Sequence, residues 1–158
     1  MFDFLKKKEG FLMSPADGEI IDITAVGDDV FSQKILGDGF AVRPASGSVF
    51  SPADGVVTDI TDTLHAYCIT TDDGLEILVH IGLDTVELRG EGFVPLTEKG
   101  AKVKAGSPLA RADLDLLRKR GYDPTVVTVV TNSGGLKGSR TIAAAMADAG
   151  AEAFAYKK

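Results

Sequence analysis

Cysteine, tryptophan and histidine are scarce in this sequence. Its 158 residues include one cysteine, Cys68, two histidines and no tryptophan. A single cysteine excludes an internal disulfide and a metal site made of several cysteine ligands. It also fits a reducing compartment, so we expect a cytoplasmic protein. Cys68 lies in the apolar stretch 66–69, which suits a small buried side chain better than a reactive thiol.

Long apolar runs and basic clusters are also missing. No stretch approaches the ~20 apolar residues that cross a bilayer, and the N-terminus lacks the apolar core of a signal peptide. The formal net charge is -6 and the basic residues are dispersed except for Lys6 to Lys8, so we expect no nucleic-acid partner. These lysines follow Phe2 and Phe4, a composition that suits either weak membrane-surface contact or a solvated terminus. We assign residues 1–10 to a flexible N-terminal arm.

The rest of the composition is typical of one globular domain. Hydrophobic residues make up 44% and charged residues 25%, which leaves no room for a largely disordered chain. The 18 glycines and 6 prolines are scattered along the sequence and indicate tight turns between short elements. We therefore expect an all-β fold, an antiparallel β-sandwich or barrel-like domain with short helical segments.

A ten-residue segment occurs twice in the chain. Ser14–Ile23 returns 37 positions later as Ser51–Ile60, with seven of ten positions identical. Both copies begin with Ser-Pro-Ala-Asp-Gly, a combination that is typical of a β-turn, and continue into an apolar, strand-like stretch. The pair predicts an internally duplicated β motif, and two copies are too few for a solenoid.

Short apolar segments between turn residues predict the other elements. Strands are expected at 40–44, 47–51, 55–61, 66–71, 75–81, 94–97, 102–104, 107–112 and 126–131. A helical turn is expected within 30–36, and a short helix at 114–120, capped by Asp113 and ended by Gly121. After Ser133, glycines and then alanines replace the β-branched residues, so we assign 134–158 to a flexible joint and a C-terminal helix.

Both histidines fall on one expected β-hairpin. His65 precedes one strand, His80 lies near the end of the next, and the connection 71–74 carries the Asp-Gly signal of a hairpin turn. Antiparallel pairing about this turn brings positions 65 and 80 close together. Alternation along the second strand directs its β-branched residues to the core and His80 outward.

Two facing imidazoles suit phosphoryl chemistry, metal binding or a purely structural role. A neutral imidazole nitrogen is a competent nucleophile at pH 7, and a second imidazole, the Thr63 hydroxyl or backbone N–H groups can donate to phosphoryl oxygens. Asp84, four residues beyond His80, can orient an imidazole or meet a partner's cation. No HExxH, HxH or CxxC occurs, so zinc on His65 and His80 would need a carboxylate from Asp84 or from a partner.

One segment carries a specific family resemblance. Residues 78–93, LVHIGLDTVELRGEGF, closely resemble the active-site segment of glucose-type enzyme IIA domains of the bacterial phosphoenolpyruvate-dependent sugar phosphotransferase system. The family's order and spacing also match at residues 14–18, 30–39, 51–55, 63–66, 102–106 and 129–132. We assign residues 11–133, which the resemblance covers, to the phosphocarrier domain.

The resemblance implies a duplicated hybrid motif and a phosphotransferase activity. The carrier HPr would donate a phosphoryl group to His80, and a cysteine of the sugar-specific IIB domain would receive it. His80 matches the family's phosphorylated histidine, His65 the second histidine that stabilises the phosphoryl group, and Thr63 the threonine hydrogen-bonded to His65. Asp28 and Asp84 match flanking acidic residues that meet partner arginines. No cofactor is expected besides the transient phosphohistidine, with zinc only at a partner interface.

The resemblance also implies an apolar docking surface for HPr and the IIB and IIC components. We expect this surface to include Val30, Phe31, Phe40 and Leu78, although Thr61 and Leu78 stand where the best-known branch often has aromatics. Regulatory targets of that branch therefore need not be shared. A regulatory binding protein that uses the same surface stays open as a second function class, and a zinc peptidase is disfavoured because its ligand motifs are absent.

Overall fold

Short alternating segments fold here into an antiparallel β-sandwich, as the sequence predicts. The computed structural model describes residues 9–158. The elements are β1 (Gly10–Met13), β2 (Gly18–Asp22), α1 (Asp29–Ser32), β3 (Asp38–Pro44), β4 (Ser48–Phe50), β5 (Gly55–Ile60), β6 (Ala66–Thr71), β7 (Glu76–Ile81), β8 (Phe93–Pro95), β9 (Lys102–Val103), β10 (Pro108–Ala112), α2 (Leu114–Lys119), β11 (Val126–Val130), β12 (Gly138–Thr141), β13 (Ala144–Ala147) and β14 (Glu152–Lys157). Short 3-10 helices lie at Ile23–Ala25, Thr85–Leu88 and Ser133–Gly135.

These strands form one large and two small sheets. The large sheet has the order β13-β2-β3-β11-β7-β6-β5-β9, and the small sheets have the orders β1-β14-β12 and β4-β10-β8. Strands of all three sheets contribute to one main core, in which Phe40, Tyr67 and Phe154 are among the largest fully buried side chains. The strands and the α2 helix expected between residues 40 and 131 are confirmed, and Asp113 caps α2 through Leu116 N–H.

The two copies of the repeated segment occupy equivalent places. The N–H of Met13 donates to the Pro52 carbonyl, and the N–H of Phe50 donates to the Pro15 carbonyl, both at 2.8 Å. Each copy's turn therefore accepts a hydrogen bond from the residue that precedes the other copy. These reciprocal contacts show that the repeat is a structural duplication and not only a recurring turn sequence.

The predicted C-terminal helix is wrong. Residues 138–157 contain β12, β13 and β14, and the side chains from Ala153 to Tyr156 are buried. Phe154 stacks on Phe40 in the main core, with ring centroids 6.0 Å apart. The domain boundary expected near residue 133 is therefore also wrong, because the tail supplies the central strand of a small sheet.

The duplication explains why the alanine-rich tail forms strands. The Asp17 carboxylate accepts from Ala149 N–H at 2.7 Å, and Asp54, in the second copy, accepts from Ala105 N–H at 2.8 Å. Correspondingly, β13 pairs with β2 as β9 pairs with β5. The tail closes the first copy as residues 102–107 close the second, so pairing within the fold overrides the helix propensity of alanine.

Residues 9 and 10 do not belong to a flexible arm, which corrects the expected boundary at residue 10. Gly10 begins β1 and pairs with Tyr156 of β14, and the Glu9 carboxylate lies 3.5 Å from the Arg140 guanidinium. Residues 1–8, on which the expected membrane-surface contact depends, lie outside the described residues. Within residues 9–158 no helix is long and apolar enough to cross a membrane.

The outer face of the large sheet carries a second, smaller cluster beside β7. Alternation along β7 places Ile77, Val79 and Ile81 in the main core and turns Leu78 and His80 to the other face. The Ile23–Ala25 turn and α1 cover part of that face, where the buried members are Ile23, Val26, Phe31, Ala41, Leu83, Val127 and Val129. His80 thus lies at the edge of an apolar cluster rather than on an open sheet.

Candidate active site

The β6–β7 hairpin brings the two histidines into contact. His80 pairs with Ala66 across the hairpin, and the His65 carbonyl accepts a hydrogen bond from Ile81 N–H at 2.7 Å. The ring centroids of His65 and His80 lie 4.8 Å apart, with the planes at 81°. The expected approach of the two imidazoles is confirmed, although His65 is buried, with 6% exposure.

A backbone carbonyl fixes the protonation of the His80 ring. His80 Nδ1 lies 2.7 Å from the Gly82 oxygen, and because a carbonyl only accepts, Nδ1 carries the proton. In the neutral ring the lone pair is therefore on Nε2. Gly82 has φ +79, a conformation that favours glycine, and an added Cβ would collide with the Thr85 methyl group. The glycine after the histidine strand thus allows the peptide to approach the ring.

Threonine hydroxyls hold the second imidazole. The Thr63 hydroxyl lies 2.7 Å from His65 Nδ1, and the Thr61 hydroxyl lies 3.4 Å from the same nitrogen. The expected hydrogen bond between Thr63 and His65 is confirmed. With Nδ1 engaged in this way, Nε2 is the nitrogen of His65 that is available to a ligand.

Both imidazoles are held neutral at pH 7. Burial, and to a smaller extent the neighbouring His80, lowers the pKa of His65 to about 4. Burial also lowers the pKa of His80 below its ordinary value, opposed by the hydrogen bond to Gly82 and by the charges of Asp28 and Asp84. A neutral His80 retains the lone pair that a nucleophile requires.

The two acidic residues flank the site in different ways. Asp28 caps α1, because its carboxylate accepts from Val30 N–H at 2.9 Å. Asp84 has a left-handed backbone, with φ 59, and its exposed side chain makes no capping hydrogen bond to the following turn. Both carboxylates line one groove, together with Glu87 and Asp123. The Asp84 carboxylate is therefore available to a partner.

The expected docking residues divide into exposed and buried ones. Val30 is 42% exposed and Leu78 is half-buried against the outer cluster. Phe31 is buried and meets the His80 ring edge-on, with centroids 5.1 Å apart. The assignment of Phe40 to the docking surface is wrong, because Phe40 is fully buried and stacks on Phe154.

Two exposed apolar residues beside α1 were not predicted from the sequence as docking residues. Ile35 is 65% exposed and Leu36 is 40% exposed, and Ile35 N–H donates to the Val30 carbonyl. Their signal was an apolar pair at the end of a helical turn, directly before Gly37. The carbonyl of Gly82 was also missed, because a backbone acceptor leaves no trace in the sequence beyond the glycine.

The part of the chain that the structure describes supplies no third ligand for a metal ion beside the two histidines. Among residues 9–158, no group of three or more His, Cys, Asp or Glu side chains is placed to hold a metal ion. Cys68 is a half-buried free thiol, and burial together with the Asp59 carboxylate raises its pKa. Neither feature provides a closed zinc site of the kind that needs four ligands.

The duplicated antiparallel sandwich and the neutral imidazole pair on its central hairpin define a phosphotransferase domain. A family model described as phosphoenolpyruvate-dependent sugar phosphotransferase system, EIIA 1, matches residues 11–135. The chain belongs to this glucose-type EIIA family.

Individual relatives agree with this placement. The chain is similar to the glucose-specific EIIA component of Buchnera aphidicola subsp. Acyrthosiphon pisum, with 38% identity over 90% of this chain and 91% of the relative. It is also similar to the glucose-specific EIICBA component of Streptococcus pneumoniae, with 46% identity over 78% of this chain, but it spans 17% of that longer protein. The solved glucose permease IIA from Mycoplasma capricolum superposes with a TM-score of 0.81 and 36% identity, covering 93% of this chain and 96% of that one.

Proposed function

We propose that this domain carries a phosphoryl group on Nε2 of His80, accepting it from phospho-HPr and passing it to a cysteine of a sugar-specific IIB domain. The observation that supports His80 most strongly is its hydrogen bond from Nδ1 to the Gly82 carbonyl. That bond leaves the lone pair of the neutral ring on Nε2.

The transfer from HPr needs no external base, because Nε2 of His80 carries no proton that must be removed before it attacks phosphorus. The lone pair of His80 Nε2 attacks phosphorus, the N–P bond of the donor breaks, and the donor imidazole recovers the electron pair. His80 keeps its Nδ1 proton, so its ring becomes cationic when Nε2 is phosphorylated. The Gly82 carbonyl and the carboxylates of Asp28 and Asp84 stabilise this cation, since all three favour positive charge on the ring. In the second transfer the IIB thiolate attacks phosphorus, the bond between phosphorus and His80 Nε2 breaks, and the electron pair returns to Nε2, so that the ring is neutral again.

His65 and Thr63 stabilise the phosphoryl group without accepting it. The Thr63 hydroxyl lies 2.7 Å from Nδ1 of His65. In the tautomer that we propose, this hydroxyl donates to Nδ1, the proton of the neutral ring lies on Nε2, and Nε2–H donates to a phosphoryl oxygen. The burial of His65 keeps its ring neutral before the group arrives. A neutral donor leaves the anionic group less tightly held than a cationic one would, which suits a carrier that must release it.

The partners follow from the relay and from the architecture of relatives. In the Streptococcus pneumoniae protein an EIIA-like region is part of an EIICBA component. We expect this domain to act with IIB and IIC components and with HPr in the cytoplasm, where a lone free thiol is kept reduced. No cofactor takes part in the proposed steps besides the transient phosphohistidine, and zinc would bind only where a partner adds a carboxylate to His65 and His80.

The decisive experiment maps the phosphorylated residue. The full chain is incubated with phosphoenolpyruvate, enzyme I and HPr, and acid-labile phosphate is located by mass spectrometry of peptides. We expect the label on His80, none on His80→Ala or His80→Gln, and retained label on His65→Gln. Thermal melting of each variant controls for folding, and stable labelling of a folded His80→Ala protein would contradict the assignment.

A further inference from the structure

The peptide that contacts His80 is itself held by a distant turn. The carbonyl of the Gly82–Leu83 peptide accepts from His80 Nδ1, and the N–H of the same peptide donates to the Asp123 carbonyl at 2.9 Å. The preceding N–H, that of Gly82, donates to the Thr125 carbonyl, also at 2.9 Å. Both peptides that flank Gly82 are therefore tied to the segment 123–125, which enters β11.

Side-chain hydrogen bonds fix the spacing of those two carbonyls. The Asp123 Oδ1 atom accepts from the Thr125 N–H at 2.9 Å and from the Thr125 hydroxyl at 2.6 Å. The Thr125 side chain is buried, whereas Asp123 is exposed. One carboxylate oxygen thus closes the turn through two bonds, with Pro124 between the two residues.

Gly82 needs such a restraint because a glycine does not hold its own conformation. Glycine populates positive and negative φ about equally, so a φ of +79 costs little to reach and little to leave. Rotation of the Gly82–Leu83 peptide would withdraw the carbonyl from His80 Nδ1. The imidazole proton would then exchange to Nε2, which removes the lone pair from the nitrogen that attacks phosphorus.

We propose that Asp123 and Thr125 are positioning residues, which lock the Gly82–Leu83 peptide and so hold His80 in the tautomer with the proton on Nδ1. This inference rests on the proposed function for its kinetic consequence, but not for its structural one. Neither residue touches the imidazole in the contacts described, so both act through the backbone. The Thr125 hydroxyl donates to the Asp123 carboxylate, which holds the turn. The backbone carbonyls of these two residues then accept hydrogen bonds from the N–H groups of Gly82 and Leu83.

The test uses full-length protein labelled with 15N at histidine. In the wild type, 15N chemical shifts are expected to show a single Nδ1–H tautomer for His80. Thr125→Val removes the hydroxyl at nearly constant volume, and Asp123→Ala removes the oxygen that closes the turn. In both variants we expect a measurable population of His80 with the proton on Nε2. We also expect phosphoryl acceptance from HPr to slow about fivefold in kcat with little change in KM, the size of one ordinary hydrogen bond.

Matched controls separate positioning from general damage. Thr128→Val makes the same change on the adjoining strand β11, where the buried hydroxyl has no hydrogen-bond partner among residues 9–158, and it should leave the tautomer and kcat unchanged. Asp123→Asn removes the charge but keeps the Oδ1 acceptor, and Thr125→Ser keeps the hydroxyl, so both should retain the wild-type tautomer.

The possible outcomes are distinct. An unchanged His80 tautomer in folded Thr125→Val and Asp123→Ala would overturn the inference, as would an equal shift in Thr128→Val. If His80 is not phosphorylated in the wild type, the proposed function fails while the tautomer measurement still decides whether the turn acts on the ring. Asp123→Ala, at an exposed position, keeps the test available if Thr125→Val does not fold.

Discussion

The Thr63 hydroxyl lies 2.7 Å from Nδ1 of His65, two residues along the chain. Leu64, between them, has φ 63, which is uncommon for a residue other than glycine. This turn directs the Thr63 side chain back toward the imidazole. The contact leaves Nε2 of His65 available beside His80, and the roles proposed for the two histidines therefore have separable consequences.

Replacement of His65 should separate acceptance from transfer. His65→Gln replaces the imidazole donor with an amide of similar reach, and His80 keeps its own hydrogen bond to Gly82. We expect acceptance from HPr to change by less than about threefold and transfer to IIB to fall by roughly 10²-fold, the loss typical of one preorganised donor. Rapid-quench kinetics of each half-reaction measure both rates, and an equal loss in the two would argue against this division of roles.

The buried neutral His65 should make stability depend on pH. Its pKa is about 4 in the folded protein and 6.5 ordinarily, so between these values the unfolded chain binds a proton that the folded protein does not. The stabilisation is complete above pH 6.5 and is lost as the pH falls toward 4, by about 3 kcal/mol in total. Urea unfolding at pH 7 and 4.5 should show a smaller difference for His65→Gln than for wild type, and parallel pH profiles would contradict the prediction.

Removal of the C-terminal tail should unfold the protein. A chain ending at Asn132 lacks β14, whose Phe154 is buried against Phe40, and so loses the central strand of a small sheet. Global stability is only about 5–15 kcal/mol, which is comparable to the burial that is removed. Circular dichroism and thermal melting should show no cooperative transition. A cooperative, phosphorylatable fragment would show that the rest of the core closes without the tail.

The two flanking aspartates should respond differently to replacement. Asp84→Asn should slow transfer to IIB more than acceptance from HPr and weaken its salt dependence, since an exposed rim carboxylate acts mainly on encounter rate. Its melting temperature should be unchanged, because Asp84 makes no capping hydrogen bond. Asp28→Ala is the counterpart and should cost about 1 kcal/mol through loss of the α1 cap. Stopped-flow transfer at several salt concentrations and parallel melts test both, and a destabilised Asp84→Asn with unchanged salt dependence would assign Asp84 a structural role.

The exposed apolar residue beside α1 should matter for docking alone. Ile35→Ser removes a side chain that is 65% exposed, so folding should be unaffected while KM for HPr or IIB rises severalfold. Val94→Ser, at a similarly exposed valine on β8, is the matched control and should leave KM unchanged. Equal effects of the two substitutions would remove Ile35 from the docking surface.

Local sequence patterns were sufficient for much of the fold and of the site. Alternation and the Asp-Gly turn predicted the β6–β7 hairpin, and the hairpin predicted that His65 and His80 would meet, because antiparallel pairing follows from strand period and loop length. The repeated Pro-Ala-Asp-Gly segment predicted the duplication. The cap that Asp113 forms on α2 followed from a spacing of three residues along the chain. The hydrogen bond between Thr63 and His65 was implied by the family resemblance.

Contacts between residues distant in sequence were decided only by the tertiary structure. The alanine-rich tail has helix propensity, yet it forms strands because Asp17 and β2 offer it the pairing that residues 102–107 find on the second copy. The resemblance assigned Phe40 to the docking surface, and only its stacking on Phe154 of the tail shows that it belongs to the core. The tautomer of His80 likewise depends on a backbone carbonyl at Gly82. The sequence by itself determined the two histidines and the hairpin that joins them, because a hairpin depends on local periodicity and on its turn. The burial of Phe40, the strands of the tail and the orientation of the Gly82 carbonyl depend on packing between segments that are distant in the sequence.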